Sequence, residues 1–134
     1  MKLLYQAQIR KDDLEEQIQT YMEEEMILDP SERGYIEEVV RGTVEKQDEI
    51  DSIISRHAKG WSISRMPKVD LAIMRLSIYE MRYRKDIPVN VSINEAVELA
   101  KKYSGEQSRT FVNGVLGKVW SELSQEAQES NEHE

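Results

Sequence analysis

Lys68 to Arg84 reads Lys-Val-Asp-Leu-Ala-Ile-Met-Arg-Leu-Ser-Ile-Tyr-Glu-Met-Arg-Tyr-Arg. At about 100° per residue, Val69, Ile73, Leu76 and Tyr83 gather on one side of a helix, and Leu71, Met74, Ile78 and Met81 gather roughly 160° away. A helix that is apolar on two opposite faces has to be covered on both. The expected architecture is therefore all-α, with two small helical bundles packed around a shared central helix. The flanking sequence fits. Three prolines and six glycines punctuate the chain, and apolar residues recur at spacings of three, four and seven. Ile87 to Ile93 alternates, but it contains Pro88 and leads into Ser92-Ile-Asn-Glu95, a capping-box pattern, so it reads as a linker before a helix.

Working outward, Lys2 to Ile9 reads as the end of a helix, and Asp12 or Asp13 as the cap of a second helix reaching about Glu25. Asp29-Pro30 is a cap followed by proline at the first helical position, where a missing N–H does no harm. Ile36, Val39, Val40, Val44, Ile50, Ile53 and Ile54 continue the helical spacing, with a break near Gln47 and an end at Gly60. After a short piece at Ser64 to Pro67 and the central helix, a further helix ends at Gly105. The last runs from about Gln107 to Leu123, with Phe111, Val112, Val115, Leu116, Val119 and Leu123 as its core stripe. These form a single domain over 1–123, followed by an acidic, flexible tail over 124–134.

Composition narrows the chemistry. The 134 residues carry a net charge of −8 and are 39% hydrophobic, enough for one core. No stretch approaches the ~18 apolar residues of a membrane span, and no apolar run follows the first few residues as in a signal peptide. The chain reads as a soluble cytoplasmic protein. Without cysteine there is no disulfide, Cys-zinc site or thiol nucleophile, and His57 and His133 are the only imidazoles. There is no Gly-rich phosphate loop, nucleophile elbow or catalytic carboxylate pair. No catalytic residue, metal ligand or cofactor is assigned, and an enzyme is the less supported reading.

The charge is unevenly spread. The first 55 residues are strongly acidic, whereas between Arg56 and Lys85 eight basic side chains face only Asp70 and Glu80. That basic run is either a nucleic-acid face or a solvated helix surface. Arg75 and Arg82 read as solvated surface, and Tyr79 and Tyr83 as packing. Trp61 and Trp120 read as core edges, and His57 as a helix-end residue meeting the C-terminal dipole.

Two features stand out. Glu80 projects into the apolar stripe of the central helix, where a carboxylate needs a partner. It either reaches solvent or Arg84 one turn later, or anchors a partner protein. On the last helix, Thr110, Asn113, Gly114, Gly117 and Ser121 line up opposite the core stripe. Two interior glycines cost roughly 1 kcal/mol each relative to alanine. Either another helix packs closely there, or the face is a shallow groove for a strand or peptide, rimmed by Arg109 and Lys118 and reinforced by Lys101-Lys102.

The stretch Asp86-Ile-Pro-Val-Asn-Val-Ser-Ile-Asn-Glu-Ala-Val-Glu-Leu-Ala-Lys-Lys-Tyr103, with Phe111-Val-Asn-Gly-Val-Leu116, closely resembles the NusB family of bacterial transcription antitermination factors. Val69 to Met81 resembles that family's central helix, and weaker similarity runs through Gly42 to Trp61 and at Leu4-Tyr5-Gln6. The resemblance implies a non-enzymatic adaptor that binds boxA RNA together with ribosomal protein NusE. The pair would join an RNA polymerase antitermination complex that supports rRNA transcription. By motif, Lys2, Tyr5, Arg109, Asn113, Gly117 and Lys118 are the implied RNA-binding residues, and Tyr5, Glu80 and Arg84 the implied NusE-binding residues. Family members usually begin further upstream with an arginine-rich segment. Here Lys2 is all that stands for that arm, so weaker and less salt-dependent RNA binding is expected, with Met1 read as an internal methionine. Gly117 occupies a position often acidic in the family. Two alternatives accompany this reading: a NusE-binding module that does not bind RNA, and the NusB-like domain of an RNA methyltransferase. Monomer and homodimer are both compatible.

Overall fold

Both apolar faces of the central helix are covered in the structure, a computed structural model that describes residues 2–10 and 13–132. Met1, Asp12 and His133 lie outside the described residues. The helices are α1 (Lys2–Ile9), α2 (Leu14–Glu24), α3 (Pro30–Glu45), α4 (Gln47–His57), α5 (Lys68–Tyr83), α6 (Val89–Ser104) and α7 (Glu106–Glu132), with one 3-10 turn at Ile63–Arg65. Among the described residues there is no strand.

Helix α5 packs on α1 and α3 toward one end of the chain and on α4, α6 and α7 toward the other. Two apolar clusters result. Leu3, Ile18, Met22 and Val40 form a small one among α1, α2 and α3. The larger one takes Ile50, Ile54, Ile73, Met74, Ile78, Ala100, Val112, Leu116 and their neighbours. Ile73, Met74 and Ile78 are at most 1% exposed; truncating a side chain so enclosed typically costs about 2–5 kcal/mol. The all-helical, two-bundle reading of the sequence is the architecture observed. No helix among the described residues is long and apolar enough to cross a membrane.

Local chemistry explains most helix ends. The Asp29 carboxylate accepts the Glu32 N–H at 3.3 Å, with Pro30 opening α3. Gly105, at a φ of 102°, closes α6 by donating its N–H to the Ala100 and Lys101 carbonyls. Lys46 makes the break between α3 and α4.

Three expectations fail. The capping box at Ser92 and Glu95 does not form: α6 already begins at Val89, behind Pro88, so Ser92 lies inside the helix and its hydroxyl points to the core. Asp13 precedes α2 in a left-handed conformation without a side-chain cap bond. Helix α7 does not stop at Leu123 but continues to Glu132, since the acidic segment has no glycine or proline and is rich in good helix formers.

Arg75 is also corrected. It is buried on α5 rather than solvated, and its Nε and Nη2 donate to the Asp51 carboxylate of α4 at 2.7 and 2.8 Å. Arg82, half-buried, lies 3.4 Å from Glu49 and 3.7 Å from Glu126.

Helix α3 carries a matched pair of glycines. A Cβ at Gly42 would fall on the ring of buried Tyr79, whereas one at Gly34 would meet nothing within 4 Å. Gly42→Ala should therefore destabilise the fold by about 1–3 kcal/mol, and Gly34→Ala stabilise it by about 0.5–1 kcal/mol. Urea unfolding of the two variants checks the opposite signs.

Candidate nucleic-acid and partner interface

One face of α7 supplies the core, and the other is bare. Val112, Val115, Leu116, Val119 and Leu123 are buried, while Arg109, Thr110, Asn113, Gly114, Gly117, Lys118 and Ser121 are exposed. A Cβ built at Gly114 or Gly117 would meet nothing within 4 Å. Among the described residues no helix packs on these glycines, so of the two readings of this face the open surface is the one observed. The glycines lower helix stability and leave a smooth strip where a ligand backbone can approach. Lys118 stands at its edge. Arg109 is partly held by Glu106 at 3.4 Å, and Lys101 lies 3.6 Å from the same Glu106 side chain.

The other implied RNA-binding residues lie elsewhere. Lys2 is exposed and Tyr5 half-buried on α1. That helix packs on α2, α3 and α5, whereas α7 packs on α4, α5 and α6.

Glu80 is resolved by burial. The residue is 5% exposed, and its Oε1 accepts the Ser92 hydroxyl of α6 at 2.9 Å. Its Oε2 accepts the Tyr35 hydroxyl of α3. Ser92 lies 2.9 Å from the Ser77 hydroxyl, one turn before Glu80 on α5. Burial, then the hydrogen bond and charge of Glu80, push the Tyr35 phenol above its ordinary value, so Tyr35 stays a donor. Arg84 does not pair with Glu80. It forks onto Asp86 at 2.9 and 2.8 Å, reaches Glu38 at 3.3 Å and stacks 5.3 Å over the Tyr35 ring. The surface at this point is Tyr35, Glu38, Arg84 and Asp86, with Glu80 beneath it. Tyr35 and Ser92 escaped the sequence reading: a lone tyrosine carries no periodic signal, and Ser92 matched a cap.

Half of the basic run from Arg56 to Lys85 is ion-paired within the molecule. Arg56 forks onto Glu122 at 2.9 and 2.6 Å, and His57 Nε2 lies 3.2 Å from the same carboxylate. The Arg56 hydrogen bond comes first among the causes that hold Glu122 below the usual carboxylate range. Arg75, Arg82 and Arg84 are likewise paired, while the exposed Lys59, Arg65 and Lys85 form no ion pair among the described residues, Lys85 donating instead to the Met81 carbonyl at 3.0 Å.

A family model described as the NusB family matches residues 1–121. The chain belongs to the NusB family. It is 57% identical over 119 residues to the transcription antitermination protein NusB of Acetivibrio thermocellus, covering 89% of this chain and 81% of that protein. It is 46% identical over 134 residues to that of Thermoanaerobacter sp. strain X514, covering 99% and 93%. Among solved structures, T. maritima NusB superimposes with a TM-score of 0.82 at 38% identity over 90% of this chain and 84% of that one. A chain from a complex of the antitermination factors NusB and NusE with dsRNA gives 0.81 at 31% identity over 89% and 88%.

For this NusB-family chain, the buried carboxylate makes a definite prediction. Glu80→Ala strands the Tyr35 and Ser92 hydroxyls and should cost about 2–4 kcal/mol, whereas Tyr35→Phe, which removes one donor, should cost about 1 kcal/mol. Glu80→Lys should lower the thermal midpoint as well. A midpoint unchanged in both Glu80 variants would show that the carboxylate contributes nothing to the fold.

Proposed function

We propose that this chain is an RNA-binding transcription antitermination factor that binds boxA RNA together with ribosomal protein NusE. It acts within an RNA polymerase complex, supports rRNA transcription and works in the cytoplasm without a catalytic step of its own. The observation that carries this is the structural likeness to the NusB chain of the NusB–NusE–dsRNA complex, together with an exposed strip on α7 whose glycines pack against nothing. The antitermination names of the relatives favour this over a methyltransferase domain.

In this reading α7 is the RNA side. Asn113 offers an amide that can both donate and accept, the glycines allow close approach, and Arg109 and Lys118 supply the charge that phosphates respond to. Lys2 and Tyr5 contribute from α1. Recognition would address single-stranded bases and backbone, as is usual where RNA is read by sequence. The NusE side is the mixed-charge patch of Glu38, Arg84 and Asp86. Glu80 supports it from below by fixing Tyr35, so its role in partner binding is that of a positioning residue.

Titration of labelled boxA RNA with the chain, with and without NusE, at two salt concentrations tests this. RNA binding that falls as salt rises and improves with NusE is expected. A NusE complex that ignores RNA would establish the interaction-module reading instead. Asn113→Asp should weaken RNA binding by about fivefold with NusE affinity unchanged, and Lys118→Gln should lower the salt slope by about one unit. Equal loss of both affinities in Asn113→Asp would show that α7 is not the RNA side.

A further inference from the structure

Asp70, in the first turn of α5, is 2% exposed. Its Oδ2 accepts the Ser108 hydroxyl at 2.8 Å, while its Oδ1 has no hydrogen-bond partner among the described residues. A buried carboxylate oxygen without a donor is unfavourable and calls for one. Asp70 also forms part of the wall of a cavity of about 230 Å³, together with Trp61, Arg65, Gln107, Ser108 and Phe111. Trp61 is not the core edge expected of it. It is 52% exposed and leans on Phe111 with ring centroids 5.8 Å apart. Arg65 is exposed at the same cavity.

The three groups ask for three things in one ligand: an N–H donor for Asp70, a flat π-surface for Trp61 and an anion for Arg65. A nucleotide carries all three. A lysine or arginine of a protein would satisfy Asp70 and Trp61 but would be repelled by Arg65. Sites that enclose a drug-sized ligand measure roughly 300–1,000 Å³, so this smaller cavity suits one base with its sugar and phosphate outside. Phe111, Gly114 and Lys118 stand at i, i+3 and i+7 on α7, so the wall of the cavity continues into the exposed glycine strip.

We propose that this cavity receives one unstacked RNA base bearing an exocyclic amino group. Asp70 accepts from the amino group, Trp61 stacks on the ring, and Arg65 meets the adjoining phosphate. Uracil is disfavoured, because its single imino N–H lies between two carbonyls that would face the carboxylate. The inference rests on the RNA-binding reading above and adds base selectivity to it.

The test uses the full chain with NusE and short single-stranded oligo(A), oligo(C) and oligo(U), read by RNA anisotropy. The unsubstituted chain should bind oligo(A) and oligo(C) several-fold more tightly than oligo(U). Asp70→Asn, checked for folding by circular dichroism, should abolish that preference. Trp61→Ala should weaken binding of oligo(A) and oligo(C) by about tenfold, because stacking tolerates any base the pocket admits. The preference and the Trp61→Ala loss are read without Asp70→Asn, so a variant that does not fold leaves the test intact. Equal binding of the three homopolymers, or a preference that survives Asp70→Asn, would overturn the pocket while leaving RNA binding in place. Displacement of oligo(A) by an arginine-rich peptide with Trp61 as the contact would also overturn it, assigning the cavity to a protein. Binding of neither the homopolymers nor boxA RNA would overturn both readings.

Discussion

Helix α5 buries both of its faces, and with them Asp70, Arg75, Ser77 and Glu80, whose desolvation has to be met by hydrogen bonds from its neighbours. Each is met by a different part of the fold. Asp70 takes Ser108 of α7, Arg75 takes Asp51 of α4, Ser77 faces Ser92 of α6, and Glu80 takes Ser92 of α6 and Tyr35 of α3. Apolar packing alone would tolerate a helix slipping by a turn. These polar contacts tolerate it far less, because a slipped helix would leave a carboxylate or guanidinium without its partner. The apolar faces bring the bundles together, and the polar groups set their register.

That arrangement also explains the charge. A chain with net charge −8 and a basic middle could present either an acidic or a basic surface. Folding brings α4, α5 and α7 together, so Arg56 reaches Glu122, Arg75 reaches Asp51, and Arg82 lies between Glu49 and Glu126. The arginines on α4 and α5 are thereby neutralised locally. The exposed face of α7, with Lys118 at its edge and two glycines that meet nothing within 4 Å among the described residues, stays open. A helix keeps such glycines at a cost in stability, and no side chain of the described residues packs on them.

Glu80 shows how a sequence signal can point to a residue without naming its partners. A carboxylate in an apolar stripe needs a partner, and the local sequence offers only solvent, Arg84 or an outside protein. The actual recipients, Tyr35 and Ser92, are 45 and 12 residues away in the chain. Ser92 reads as a cap because Ser-x-x-Glu ahead of an apolar run is a capping pattern, whereas Pro88 starts the helix one turn sooner. Arg75 poses the same difficulty. Its place on the helix says which way it points, but not that Asp51 waits there.

The sequence by itself determined the helix count and order, the break near Gln47, and the core stripes of α5 and α7. It also determined the need for cover on both sides of α5. All of these follow from periodicity and from turn chemistry that acts within a few residues. Only the tertiary structure decided which polar groups are partners, which cations are already spent, and that the glycine strip of α7 lies open. Those depend on contacts between segments far apart in the chain, where desolvation and hydrogen-bond geometry select the partner.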